Sequence, residues 1–321
     1  MKSTDVLTKP MREAIARSGY LMEQRLVPLV EGHGFKATPN QRFRDPDTGA
    51  QRELDIFAIS AARIGRRGTD FVFPILLIAC KNLQCPFVFF AQDEVRLDVF
   101  LGKLQISGMP QDILMVRGRH QRLADFLKLQ NFHHYYRTGR VSSQFCAVYE
   151  SKRQAGGKKP MQAIFEAGHF IGGRIDLFAD FEALGKALDA EKREHAESFD
   201  LDPRDDQINL QIYYPVFVTS GPLVECFVGK RRPKYRKVHR VGFLLRQAYT
   251  GKAREYRVDV VDEQGLKRLL EVIMQEADGI AKKIGRHRKV VASSILASAK
   301  RLRRTKKEFK LSYICGDREL F

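Results

Sequence analysis

Glu53-Leu54-Asp55-Ile56-Phe57-Ala58 sets two carboxylates on alternate residues, and further along an apolar run, Ile75 to Ile78, ends in Ala79-Cys80-Lys81-Asn82. Both segments read as strands. Side chains alternate between the faces of a strand, so Glu53 shares a face with Asp55, Ala79 shares a face with Lys81, and Cys80 points the other way. Carboxylates converging from neighbouring strands make a hard-oxygen site for a divalent cation such as Mg²⁺, which keeps several of its waters. A lysine beside them can hold a water or an anion, and acts as a base where its pKa is depressed. Cation, water and ammonium together are what in-line hydrolysis of a phosphodiester requires.

A helix must present the next candidate. From about Pro10 to Glu31 the residues Met11, Ile15, Leu21, Met22, Leu26, Leu29 and Val30 fit a helical face, and Gly32 and Gly34 follow as stop signals. This predicts one helix carrying Glu23. The order acidic helix, glycine stop, strand, Glu-Leu-Asp-Ile, loop, apolar strand, Cys-Lys resembles the PD-(D/E)xK, or restriction-endonuclease-like, nucleases over roughly residues 10 to 90. In that family one strand carries an Asp and the next ends in Glu or Asp, any residue, then Lys.

The resemblance implies an α/β fold with a restriction-endonuclease-like core, a mixed central sheet flanked by helices, and an additional α+β region. It also implies roles. Asp55 would bind the metal, Mg²⁺ or Mn²⁺, aided by the backbone carbonyl of Cys80, with Glu53 as a second ligand. Lys81 would position or activate water, and Glu23 would steady the water shell. The Ala79 position is where the family's motif carboxylate stands. Three explanations of Ala79 stay open: a Glu removed from this chain by substitution, which would leave it inactive; a carboxylate supplied by another element, with Asp93 and Glu94 nearest; or a naturally inactive fold kept for binding.

Charge points to a polyanion. The chain has 56 Lys plus Arg against 38 Asp plus Glu, a net charge of +18 and a pI near 9.8. Such an excess suits nucleic acid and salt-sensitive binding. Three clusters concentrate it. Arg63, Arg66 and Arg67 lie in the loop between the two candidate strands, where a hairpin would set them beside a scissile phosphate. Lys230, Arg231, Arg232, Lys234, Arg236 and Lys237 form a basic hairpin or loop with Tyr235. The section from Lys282 to Lys310, including Arg301, Arg303 and Arg304, holds twelve basic residues and one acid, Glu308. DNA is the expected partner, with RNA as the alternative because no RNP1-like aromatic signature is present. The resemblance adds a homodimer and a defence or repair partner protein. The rival to an endonuclease in restriction, phage defence or repair is an inactive nucleic-acid-binding subunit.

With 321 residues and 44% hydrophobic composition, the chain can bury a full core. No apolar run of about eighteen residues and no signal-like N-terminus is present, which predicts a cytoplasmic protein without membrane contact. Five cysteines, an odd number, read as reduced thiols, and His33 and His133-His134 match no ligand spacing. The expected layout is a nuclease-like core over 1–150, a helical insertion or linker over 151–206, an α+β region over 207–284 that in one of two topologies rejoins the core sheet and in the other forms a separate module, and a basic section over 285–321. Strands are predicted at 113–116, 144–149, 208–218, 223–228, 241–249 and 256–261. Helices are predicted at 94–104, 120–129, 177–199 and 264–284, Phe87 to Phe90 reads as an apolar stretch turned by Pro86, and 151–160 reads as a surface loop.

Overall fold

A computed structural model describes residues 6–93, 104–110, 112–114, 120–137, 140–151, 164–171, 175–198, 207–228, 232–249 and 252–304. The N-terminal segment is two helices, not one. In α1 (Lys9–Arg17) the Thr8 side chain accepts the N–H of Met11, and the helix stops at Ser18-Gly19. Gly19 sits at φ 88°, a conformation that a Cβ disfavours, and α2 (Tyr20–Glu31) begins after it, burying Met22, Leu26 and Val30.

Next come β1 (Lys36–Arg44), β2 (Gln51–Ile59), β3 (Ala62–Arg63), β4 (Phe71–Lys81) and β5 (Phe87–Asp93). The middle of the chain holds β6 (Gln105–Ser107), β7 (Asp112–Leu114), β8 (His120–Arg122), α3 (Leu123–Phe126), a 3₁₀ turn at Leu129–Asn131 and α4 (His134–Arg137). After these follow β9 (Arg140–Ser151), β10 (Ile164–Gly168), β11 (Phe170–Ile171), β12 (Ile175–Asp176) and α5 (Leu177–Ser198). The last group is β13 (Asn209–Thr219), β14 (Leu223–Val228), β15 (Pro233–Val238), β16 (Arg240–Tyr249), β17 (Lys252–Val261), α6 (Glu263–Arg286) and α7 (Arg288–Arg304).

These form an α/β fold around one large mixed sheet in the order β1-β2-β4-β13-β17-β16-β9-β5-β14-β15. β4, β13 and β17 run parallel at its centre. Their sequences show why: β4 and β13 are buried on both faces along continuous apolar runs, as strands covered on two sides require. On one face Leu76, Ile78, Ile212, Tyr214 and Val216 pack with α2 and with the Leu266, Leu269, Leu270, Ile273 stripe of α6. On the other, Ile75, Leu77 and Phe217 meet Phe181, Leu184 and Leu188 of α5. Phe89 of β5 and Phe145 of β9 join that same core, so the sheet curls around α5.

α6 starts cleanly because Asp262 caps it, accepting the Gly265 N–H at 2.8 Å, with Glu263 in the first turn and Lys283 and Arg286 in the last. Three sequence expectations change. The segment 112–114 pairs with β8 in a separate hairpin instead of extending the main sheet, and only α3 and the 3₁₀ turn remain of the helix expected at 120–129. Phe87 to Phe90 is strand, because β9 and β14 supply partners on both sides. The helix expected at 94–104 and the loop at 151–160 fall almost wholly outside the described residues. Among the described residues no helix is long and apolar enough to cross a membrane.

Candidate active site

Asp55 owes its position to an interruption in the β1–β2 hairpin. Asn40, opposite it, sits at φ 55°. Across that point the alternation reverses: Leu54 packs on the α5 side of the sheet, whereas Ile56, two residues on, packs on the α6 side. The β2–β4 ladder ends at Ile56↔Ile78, and the Asp55 carboxylate takes over as acceptor, receiving the Cys80 N–H at 2.5 Å. The aspartate is thereby locked against the last turn of the β4 backbone.

Lys81, the last residue of β4, points toward α5. Its Nζ lies 3.0 Å from Asp180 Oδ1 and 2.8 Å from Oδ2. Asp180 stands in the first turn of α5, and Asp176 orders that turn by accepting the N–H groups of Phe178 and Ala179 at 2.9 and 3.3 Å. Glu23 approaches from the first turn of α2. Four carboxylates from three elements, Glu23, Glu53, Asp55 and Asp180, therefore share the C-terminal end of β4 with one lysine.

Their electrostatics couple them. Burial pushes the Asp55 carboxyl up; the Cys80 N–H and Lys81 oppose this, and the negative charges of Asp180 and Glu53 add to it. Glu23 is raised by burial, then by Asp55 and Glu53. Asp180 is raised by burial against the pull of Lys81, with Asp176 adding to the rise. Burial, Asp55 and Glu23 drive the Cys80 thiol far above its ordinary range, so it stays protonated and offers no thiolate. Accumulated, partly desolvated negative charge with hard oxygens is the donor chemistry of a Mg²⁺ or Mn²⁺ site.

The loop beyond β4 is braced from several directions. Asn82 donates to the Ala16 carbonyl of α1 at 2.6 Å and accepts from Ser220 Oγ at 2.9 Å. Gly221 is required there, since a Cβ would stand 2.3 Å from the Cys85 carbonyl oxygen.

Sequence reasoning missed Asp180, 99 residues from Lys81. Its only local mark is its place among the acidic residues of an amphipathic helix. Ala79 is half-buried and packs toward the α5 side without a functional group. Asp93 closes β5 at the end opposite Phe87, about 20 Å along the strand, and Glu94 lies outside the described residues. The loop carrying Arg63, Arg66 and Arg67 is not beside the site: Arg63 pairs with Phe71, at the opposite end of β4 and about 30 Å from Lys81. In an antiparallel pair the connecting loop lies at the end away from Asp55. Lys234, Arg236 and Lys237 are exposed along β15, the edge strand, with Arg232 exposed just before it, and Arg236 pairs with Glu225 at 2.5 Å. Arg301, Arg303 and Arg304 fall in α7, and Lys230 and Arg231 lie outside the described residues.

The carboxylates do not form a closed cage. Among the described residues, the group of three possible ligands whose atoms lie within 4.8 Å of one another is instead His133, His134 and Glu276, all buried. His134 Nδ1 lies 2.8 and 2.9 Å from the Glu276 oxygens, and Nε2 lies 3.1 Å from Asp259 Oδ2. Burial disfavours a charge on His134, but Asp259 and Glu276 outweigh it and raise its pKa. His133 Nδ1 accepts the Tyr135 N–H at 3.2 Å, so the neutral ring carries its proton on Nε2, facing Tyr214 and Glu276. Bonded this way, His133 is a donor, and the cluster is a buried ion network joining α4, β17 and α6.

No protein-family model, curated protein or solved structure matches the chain at a significant level.

Proposed function

We propose that the protein is a Mg²⁺- or Mn²⁺-dependent nuclease of the PD-(D/E)xK type, acting on DNA, with Asp180 supplying the carboxylate absent at Ala79. The observation that carries this reading is the convergence of Asp55, Lys81 and Asp180 at the end of β4, with Glu23 alongside. Asp55 and Asp180 would hold the cation, with Glu53 and Glu23 completing its surroundings. When bound, the metal supplies Lewis-acid polarisation of the phosphate and acidifies a water. Lys81, ion-paired with Asp180, would hold a phosphate oxygen, a role that suits a paired ammonium better than proton abstraction does. Glu23, with its raised pKa, can accept the proton of the attacking water at a carboxylate oxygen.

The deciding experiment compares the unchanged chain with Asp180→Ala, Lys81→Ala, Asp55→Ala and Ala79→Glu on plasmid, linear duplex, single-stranded DNA and RNA, with Mg²⁺ or Mn²⁺. Cleavage by the unchanged chain that each of the three alanine variants abolishes supports the proposal. Cleavage only by Ala79→Glu would assign the motif carboxylate to position 79 instead. Inertness of every form, with binding retained, would make the protein a nucleic-acid-binding module. Cleavage of RNA alone would move the substrate to the other polymer.

A further inference from the structure

The strand register brings a second feature to the edge that carries the site. Cys80 pairs with Val218, Val218 with Val261, and Val261 with Arg240, so these four residues form one row across the sheet. Three strand spacings of about 4.8 Å put Arg240 about 14 Å from Cys80. At Arg240 a cleft of about 340 Å³ opens between the β15–β16 connection and the first turns of α6. Its lining includes Arg236, Lys237, His239, Arg240 and Arg268 and contains no carboxylate.

Three of these side chains are already engaged. Arg236 pairs with Glu225, His239 with Asp262 at 2.8 Å, and Arg240 with Asp259 at 3.5 Å. Lys237 and Arg268 are exposed and, among the described residues, make no ion pair. The engaged groups shape the cleft, and the free pair gives it an uncompensated charge.

We propose that this cleft is a backbone-binding subsite for the nucleic acid, in which Lys237 and Arg268 hold phosphates of a strand whose scissile bond lies at Lys81. Phosphates along one strand of a duplex recur every 3.4 Å of axis, so the roughly 14 Å from Cys80 to Arg240, at the rim of the cleft, is a span of only a few nucleotides. The register of that contact rests on the nuclease reading; the binding itself does not. Contacts of this kind position a polymer without reading its bases, so they act on duplexes of any sequence.

The test measures metal-free binding of a fluorescent 20-base-pair duplex by anisotropy over a salt series. The variants are Lys237→Glu with Arg268→Glu and, for comparison, Lys128→Glu with Arg137→Glu, exposed cations in the α3–α4 region. Two lost phosphate contacts should lower the slope of log affinity against log salt by about 2 and weaken binding by about tenfold or more. The comparison pair should cost several-fold less. Equal losses in the two pairs, or no loss in the cleft pair, would overturn the subsite. The outcomes separate from those of the active-site proposal. Loss of binding in the cleft pair with no cleavage by any form removes the nuclease and keeps the subsite. Cleavage with an unaffected cleft pair does the reverse.

Discussion

Glu276→Gln tests the buried ion network that ties α6 to the sheet. Glu276 is 2% exposed and faces His134, whose other ring nitrogen faces Asp259, 1% exposed. Glutamine keeps the shape and an acceptor for the His134 backbone N–H, but leaves the imidazolium with one carboxylate. Removing one member of a buried pair costs about 3–5 kcal/mol; the retained hydrogen bond places the expected loss near the lower end, about 3 kcal/mol. For a chain of this size that is a fall in Tm of about 4–5 °C. The pH dependence follows from the raised pKa of His134. A histidine raised on folding contributes fully below its ordinary pKa of about 6.5, and the contribution is lost as pH rises through the higher folded value. The variant should therefore be about 3 kcal/mol less stable near pH 6 and closer to the parent near pH 9. Asp259, lowered overall because His134 and Arg240 outweigh its burial, adds stability that disappears as pH falls through its folded pKa, below the ordinary value. Thermal and urea unfolding at the two pH values measure both effects. A cost below about 1 kcal/mol near pH 6, or an equal cost at both pH values, would refute the charge-pair reasoning. Stabilisation by Zn²⁺ in the parent but not in the variant would show that the cluster binds metal instead.

At the β4 end the sign is opposite, because Asp55 is raised rather than lowered: its ionised form costs stability at neutral pH. Asp55→Asn should raise the Tm, and on the proposed reading remove Mg²⁺-dependent cleavage; a destabilised variant would mean that the carboxylate is structural. Mg²⁺ at about ten times its Kd should add about 1.4 kcal/mol to the parent and nothing to Asp55→Asn, read by scanning fluorimetry. This stabilisation should weaken as pH falls, beginning above the range of ordinary carboxylates, since Asp55, Glu23 and Asp180 must be ionised to bind metal; a loss of the Mg²⁺ response confined to pH values below that ordinary range would contradict their raised pKa values. Gly265→Ala would put a Cβ 1.8 Å from the His239 carbonyl oxygen and should cost more than about 2 kcal/mol, whereas an unchanged Tm would show that α6 does not begin against that turn.

Several elements were legible in the sequence because their causes are local. The Leu266, Leu269, Leu270, Ile273 spacing and the Asp262 cap define α6, and the Ile75 to Ile78 run marks a strand buried on both faces. The placement of Lys81 at the end of that run, of Asp55 in a preceding strand and of Glu23 in a helix was readable for the same reason. The break at Gly19 was not, because a glycine inside an apolar helical pattern marks a turn only when its φ is known to be positive.

Only the tertiary structure brought Asp180 to Lys81 and Glu276 to His134, across 99 and 142 residues. Periodicity tells which face of a helix is apolar, but not where along the sheet that helix lies, so the partner of an isolated charge stays undetermined. It was likewise the register of β4, β13, β17 and β16 that moved the Arg63 loop away from the site and brought Arg240 to its edge. Composition fixes how much positive charge the chain carries, whereas strand order and the ends at which loops emerge decide which of those charges can reach one substrate.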